Sequence, residues 1–334
     1  MTTGARQFEL QALTDIWTGD VNGKAERLVP TGLLGSIRWW FEVLVRGLGG
    51  SPCDPSSEQK TCSAEHHCVV CELFGCTGWA RKFRFDVRDV QGTVVTRQLK
   101  KGAQFHLHFT PLRKIENEEW ALLELTMQLI SEFGALGGKT VFKPTEELHR
   151  APETHHQDYG LVQLRRTAAR NGTDCHALVK HVSTWVDKCT VSDAAWASCK
   201  HMWFVSGQYL SRQDEDKSTF NRVLGRKGSK KCRDCGAVHL PRQRCPKTGQ
   251  HPKRLSDDRP MDDWHRWLAG GIGASKKVFS FKSPTRTFGF VRHPSEFDQV
   301  RDELRAIWGM PETNDWFVSG EMLIDRLFSQ GGAT

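Results

Sequence analysis

PTGLLGSIRWWFEVLVRGLGG, residues 30–50, runs through a cysteine-rich stretch into CELFGCTGWARKFRFDV, residues 71–87. Leu33, Ile37, Trp40, Phe41, Leu44 and Leu48 recur at helical spacing, which predicts an amphipathic helix facing a core. Pro30 marks its entry and Thr31 is the expected cap. Arg38, Glu42 and Arg46 fall four apart on another face, the spacing of a solvated ion-pair stripe. Trp39 lies off the apolar stripe beside Arg38. Such a ring can stack on a base, face a partner subunit or pack under the insert that follows.

That insert carries Cys53, Cys62, Cys68 and Cys71, the last two as a C-x2-C pair. Such a pair supplies two corners of a tetrahedral thiolate site, and Cys53 and Cys62 can supply the others. His66 and His67 are rival ligands, and Cys76, within the next glycine turn, is a weaker one. The polar surroundings cannot bury four free thiols, which favours a zinc site.

Outward from this stretch the pattern alternates between strand and helix. Residues 8–13 alternate as a strand. Phe83, Phe85 and Val87 alternate with Arg84, Asp86 and Arg88 as a second, and Phe105, Leu107 and Phe109 with His106 and His108 as a third. Glu118 to Phe133 reads as an amphipathic helix with an acidic start suited to the helix dipole, and Tyr159 to Arg166 as a fourth strand. The order β-α-β-β-α-β is an α+β, ferredoxin-like arrangement. Gly134, Gly137 and Gly138 follow the second helix, with Lys139 and Thr140 behind them. They form either a helix cap and turn or a phosphate-contacting loop. His149, His155 and His156 fall in a polar loop whose spacing fixes no acid–base partner.

From residue 171 the pattern turns to short helices, with Asp174 and Ser192 as caps. Residues 222–254 then hold eleven Lys/Arg and one acid, Asp234, more net positive charge than the whole chain's +8. Cys232, Cys235, Cys245 and His251 have the spacing C-x2-C-x9-C-x5-H of a zinc-ribbon-like finger, with His239 as a substitute for His251. So many like charges call for an anionic neighbour. Further on, Pro260 to Leu268 reads as a short helix, and Phe279–Phe281 and Phe288–Val291 as strands. Phe297 to Trp308 reads as a helix with a capping-box-like start at Ser295 and Asp298, and Glu321–Phe328 as a last helix. Arg292 and His293 sit at a strand end.

The chain has 334 residues, 47 basic against 39 acidic, twelve Trp and eleven Cys. An odd cysteine number with C-x2-C pairs favours metal binding in a reducing compartment over disulfides. The N-terminus has no apolar h-region and no apolar run approaches membrane-spanning length, so a cytoplasmic location is expected. No P-loop, nucleotide-binding signature or paired carboxylates are present.

LTDIWTGD (13–20), PTGLLGSIRWWFEVLVRG (30–47), CELFGCTGWARKFRF (71–85), FGALGGKT (133–140), FVRHPSEFD (290–298) and AIWGMP (306–311) together resemble the RAMP superfamily of CRISPR-associated proteins. Within it they resemble the first-subunit family of the Cmr (type III-B) effector complex. The resemblance covers most of residues 8–166 and 286–312, while residues 171–285 match poorly. It implies a ferredoxin-like RAMP fold and antiviral defence. It also implies a non-catalytic RNA-binding role near the 3′ part of the guide RNA and the target duplex, with other Cmr subunits as partners. The alternatives are a RAMP endonuclease using histidine acid–base chemistry and a zinc-stabilised scaffold binding only protein.

Three segments are expected: an N-terminal RAMP unit over residues 1–170 with the insert at 49–76, a helical segment over 171–285 with the finger at 222–254, and the end of a second ferredoxin-like unit over 286–334. On the first helix and the following strand, the residues assigned to RNA are Arg38, Trp39, Arg81, Lys82 and Arg84. The glycine turn adds Gly137, Gly138, Lys139 and Thr140, and the late strand end adds Arg292 and His293. Arg38, Lys82, Lys139 and the Gly137–Gly138 backbone are expected to converge on phosphates.

Overall fold

The computed structural model describes residues 4–19, 25–54, 62–138, 157–166, 174–185, 194–211, 218–225, 228–232, 234–237, 239, 243–250, 254–256, 262–270 and 274–329. In the first unit β1 (Arg6–Ala12), α1 (Pro30–Gly47), α2 (Val69–Phe74), β2 (Phe83–Asp89), β3 (Gln104–Pro111), α3 (Asn117–Phe133) and β4 (Val162–Arg166) follow in turn. The four strands form an antiparallel sheet in the order β2-β3-β1-β4. This is the expected β-α-β-β-α-β succession, with the short α2 added by the cysteine insert.

Alternation sets the two faces of this sheet. Phe8, Leu10, Phe83, Phe85, Val87, Phe105, Leu107 and Phe109 turn inward and are buried against α1 and α3. The opposite face is polar. Helix α1 is buried more widely than its stripe predicted, with Val43, Val45 and Gly47 also inside. It is covered from several sides: by the sheet, by Phe74 of α2, and by the segment around Cys199, whose Sγ would lie 1.9 Å from a Cβ at Gly47. Its entry differs from expectation. Val29 is the cap residue, Pro30 takes the first turn and Thr31 lies within the helix, exposed. The Val29 N–H donates instead to Thr18 Oγ1 (2.9 Å), a hydroxyl that donates on to the Arg27 carbonyl. Helix α3 carries a full capping box between Glu116 and Glu119.

The second unit begins earlier than the sequence reading placed it. β5 (Met202–Ser206) lies inside the segment read as helical, and β8 (Val278–Lys282) and β9 (Thr285–Phe290) complete a sheet in the order β5-β9-β8. Val318 pairs with Phe204 through two backbone hydrogen bonds of 2.9 Å, on the free edge of β5. The order β8-β9-β5-Val318 therefore repeats that of the first sheet. Between β5 and β8 lie α5 (Thr219–Val223), the β6–β7 ribbon (Gly228–Cys232 and Arg254–Ser256) and α6 (Asp263–Ala269); α7 (Phe297–Trp308) follows β9. α4 (Cys175–Ser183) precedes β5, and α8 (Gly320–Ser329) closes the chain. The five-residue β5 was missed because it is apolar on both faces and shows no alternation.

Both faces of this second sheet are covered. Trp203, Val205, Val278 and Val291 pack on α5, α6 and α7. Met202, Phe204, Phe281, Phe288 and Phe290 turn the other way and join the core of the first unit. Arg286 of β9 reaches across this seam and donates to the carbonyls of Ser131 (3.1 Å), Glu132 (3.3 Å) and Gly134 (3.5 Å) at the end of α3. Burial lowers its pKa to about 10, and the helix-end carbonyls are the partners that suit a buried cation. Among the described residues no helix is long and apolar enough to cross a membrane.

Arg286→Ala leaves those carbonyls unpaired in the seam. It is expected to cost about 2–3 kcal/mol, read as a lower urea midpoint with the far-ultraviolet spectrum of the folded state retained.

Candidate nucleic-acid interface and metal centres

The first cysteine set is built by the loop before α2 and by α2 itself. Cys53, Cys62, Cys68 and Cys71 are all buried, and their four sulfurs lie within 4.8 Å of one another. A tetrahedral site with metal–sulfur arms of about 2.3 Å has edges of about 3.8 Å, so the set fits an ion. N–H groups point at the sulfurs, as thiolates require: Cys68 N to Cys62 Sγ (3.3 Å) and Cys53 N to Cys68 Sγ (3.5 Å). The rivals are occupied elsewhere. His67 Nε2 lies 2.6 Å from Glu72 and its ring stacks on Trp79, while Cys76 is half-buried and outside the cluster. Geometry thus brings Cys53, Cys62, Cys68 and Cys71 together where spacing left rivals open.

The second set is Cys232, Cys235, His239 and Cys245, again with all ligand atoms within 4.8 Å. His239 Nε2 is 2.9 Å from Cys235 Sγ. His239, offered in the sequence as the substitute for His251, is thus the histidine placed with the three cysteines; His251 lies outside the described residues. A histidine four residues after Cys235 closes the tight turn, whereas spacing alone could not choose between the two.

Arg38 proves to be part of the first metal centre's surroundings. Its Nη2 donates to Cys71 Sγ (3.2 Å), its Nη1 to the Gly75 carbonyl (2.8 Å) and its Nε to Glu42 (3.1 Å). Burial works against its charge, but the Cys71 sulfur and Glu42 outweigh it and hold its pKa above the ordinary arginine value. Glu42 is pushed up to about 7 by desolvation, against the pull of Arg46 and Arg38. A guanidinium committed to sulfur, carbonyl and carboxylate is not aimed at a phosphate, which corrects its assignment to RNA.

Lys82 requires the same correction. It is buried, with its Nζ 2.6 Å from Glu72 and 2.9 Å from Glu119, so it ties α2 to α3. Desolvation opposes its charge, yet the two carboxylates raise its pKa. Arg84 is exposed but lies on the polar face of the first sheet, paired with Asp86 at 3.1 Å, away from the glycine turn. Arg81 is half-buried beside that turn's counterpart at Gly75. Arg292 pairs with Glu296 at 2.8 Å, over the rings of Trp264 and Trp267, and His293 caps the turn that follows.

The Gly137 and Gly138 N–H groups are also used within the fold. Gly137 N donates to Ser36 Oγ (3.0 Å) and Gly138 N to the Trp17 carbonyl (2.9 Å). Gly137 has φ of 124°, and a Cβ there would lie 2.6 Å from the Trp17 carbonyl oxygen. Lys139, Thr140, His149, His155 and His156 lie outside the described residues. The described part of this region is a junction of backbone: the glycine turn is hydrogen-bonded to Ser36 of α1 and to the Trp17 carbonyl.

Where this junction meets the second unit there is a cavity of about 370 Å³. One side is Gly32, Gly35, Ser36, Trp39 and Trp40 of α1 with Gly137 and Gly138. The other is Trp196, Ser275, Lys276, Phe279, Phe288 and Phe290. Trp39 is half-buried here, edge-on to Trp40 (4.8 Å) and Phe290 (5.9 Å). Trp196 is fixed by the Lys277 ammonium 4.4 Å above its ring, a lysine whose pKa burial lowers to about 8. The second-unit residues were absent from the sequence assignment. Phe279, Phe288 and Phe290 lie in stretches read only as strands, and Trp196, Ser275 and Lys276 carried no signal.

Elemental analysis of the purified chain is expected to give two metal ions. His239→Ala should remove one and His251→Ala neither. Arg38→Gln should speed chelator release of the other, leaving the Cys232 site unaffected.

Residues 9–142 match the model of the RAMP superfamily. No curated protein matches the chain. Among solved structures, Cmr1 from Pyrococcus furiosus (apo form) is similar with a TM-score of 0.42 at 12% identity, covering 98% of this chain and 96% of that one. The Csm3-Csm4 subcomplex of a type III-A CRISPR-Cas interference complex gives a TM-score of 0.25 at 14% identity, over 48% of this chain and 74% of that one. The stretch that matches the RAMP-superfamily model runs from β1 to α3 and includes the first cysteine set, Trp39 and the Gly137–Gly138 turn.

Proposed function

We propose that the protein is a non-catalytic RNA-binding subunit of a type III CRISPR ribonucleoprotein of the Cmr (III-B) kind, with guide and target RNA and other Cmr subunits as partners. In this reading it consists of two ferredoxin-like units, and both cysteine sets hold structural zinc. Thiolates suit this ion, and each set supplies all four corners of its tetrahedron, leaving no open position for a reacting water. Cys53, Cys62, Cys68 and Cys71 would then brace α1, and Cys232, Cys235, His239 and Cys245 would order the basic ribbon.

One observation carries the RNA reading. The RAMP-superfamily segment brings the first turns of α1 and the glycine turn after α3 side by side at an open seam, joined by the Gly137–Ser36 hydrogen bond. These are the two stretches whose motifs resemble RNA-binding RAMP subunits. The basic residues 222–254 support it from a second direction, since Arg244 and Lys247 are exposed on the ordered ribbon. Contacts of this kind go to the sugar–phosphate backbone and carry little sequence information, which suits a subunit that must accept any guide.

The chain should copurify with RNA, identified by sequencing. Affinity for unrelated single strands should fall in parallel as salt rises. Arg244→Gln with Lys247→Gln should reduce the magnitude of the log K against log salt slope by about 1.4, roughly 0.7 for each lost phosphate contact. An unchanged slope would remove the ribbon from the interface.

The non-catalytic part has its own test. With His149, His155 and His156 all changed to Ala, target cleavage by the assembled complex should continue at its normal rate. Its complete loss, with assembly and RNA binding intact, would instead favour the endonuclease reading.

A further inference from the structure

We infer that the seam cavity is a nucleobase pocket that takes one unpaired base of single-stranded RNA against the faces of Trp39 and Trp196. This rests on the RNA-binding reading above and adds to it the place and chemistry of a base contact.

The walls are aromatic and arranged as a cage. Trp39 and Trp196 both stand edge-on to Phe290, at 5.9 Å and 5.5 Å with interplanar angles of 79° and 81°. Phe290 is buried and forms the floor, while Trp39, Trp196 and Phe279 are half-buried and keep surface open to the cavity. Lys277 covers one face of Trp196 and Phe288 one face of Phe279, and an indole face that remains open beside a cation is a stacking platform for a base. The volume, about 370 Å³, is in the range of ligand sites.

The charge of the lining selects among occupants. Among the described residues Lys276 lines the cavity and no carboxylate does. An aromatic cage for a cationic side chain would carry acids. An anionic polymer that inserts a flat ring and leaves its phosphates outside fits the lysine instead.

Gly35 supplies an independent argument. It lies inside α1, is exposed and lines the cavity. Glycine in a helix interior is destabilising relative to alanine. At Gly32 and Gly137 packing accounts for it, since a Cβ would meet the Thr18 carbonyl at 3.0 Å or the Trp17 carbonyl at 2.6 Å. At Gly35 a Cβ would meet nothing within 4 Å. Among the described residues nothing requires this glycine sterically, and it lines the cavity.

The test compares two RNAs of equal length and charge, an oligouridylate and the same ribose-phosphate chain without bases, bound to the full-length protein at low salt. The wild type should prefer the base-bearing strand roughly 5- to 150-fold, the range of one stacked base. Trp39→Ala should lose that preference and keep the salt slope. Gly35→Leu should also lose it while Tm stays equal or rises, which separates blocking from unfolding. Equal wild-type affinity for both RNAs, with an ordinary salt slope, overturns the pocket and leaves RNA binding standing. Gly35→Leu with normal Tm and an undiminished preference also overturns it. Absence of binding to either RNA overturns both readings.

Discussion

Four cysteine sulfurs buried beneath one helix impose the constraint on which the first unit depends. Such a set of sulfurs suits a cation, and Arg38 Nη2 lies 3.2 Å from Cys71 Sγ. The same guanidinium holds the Gly75 carbonyl and Glu42. It thus fixes the metal loop, the turn after α2 and the helix itself as one body. Lys82 extends the brace to α3 through Glu72 and Glu119. Buried ion pairs of this type add little net stability over apolar packing, but removing one partner strands the other. Their effect here is to fix geometry: α1 is clamped on the metal side, and Trp39 and Gly35 stay at the seam.

The seam follows from how the second sheet is buried. Its strands are apolar on both faces because one face packs on its own helices and the other on the first unit. Arg286 locks this packing by donating to the carbonyl end of α3, next to the glycine turn. Close packing would normally leave no void in such a junction. Here small residues on α1 and in the glycine turn face rings from the second unit, and an aromatic-walled cavity persists. The first sheet's outer face presents no comparable surface. β1, β2 and β3 turn Gln, Glu, Arg, Asp and His to that side.

Much of this was legible in the sequence because the signals are local. Period-two alternation placed β2 and β3, the 3.6-residue stripe placed α1, and C-x2-C pairs located both metal sets. The family motifs lie in the segment that matches the RAMP superfamily. The helix cap, β5 and the limits of the second unit were not legible, since Val29 is capped by Thr18 from eleven residues away and β5 is defined by partners more than seventy residues on.

What side chains do was decided by tertiary structure. The sequence offered Arg38, Lys82, Gly137 and Gly138 as RNA contacts because cations and glycines are the residue types that meet phosphates. The fold spends Arg38 on the Cys71 sulfur, the Gly75 carbonyl and Glu42, Lys82 on two carboxylates, and the glycine N–H groups on Ser36 and Trp17. Spacing likewise offered a candidate metal set in the ribbon, but only the folded chain brought His239 together with its three cysteines. Composition and periodicity determine which elements form, since these depend on neighbours along the chain. Which group is left for a partner depends on what the rest of the chain has already satisfied, and that is set only when distant segments meet: Trp39 acquired its pocket from residues 196 to 290.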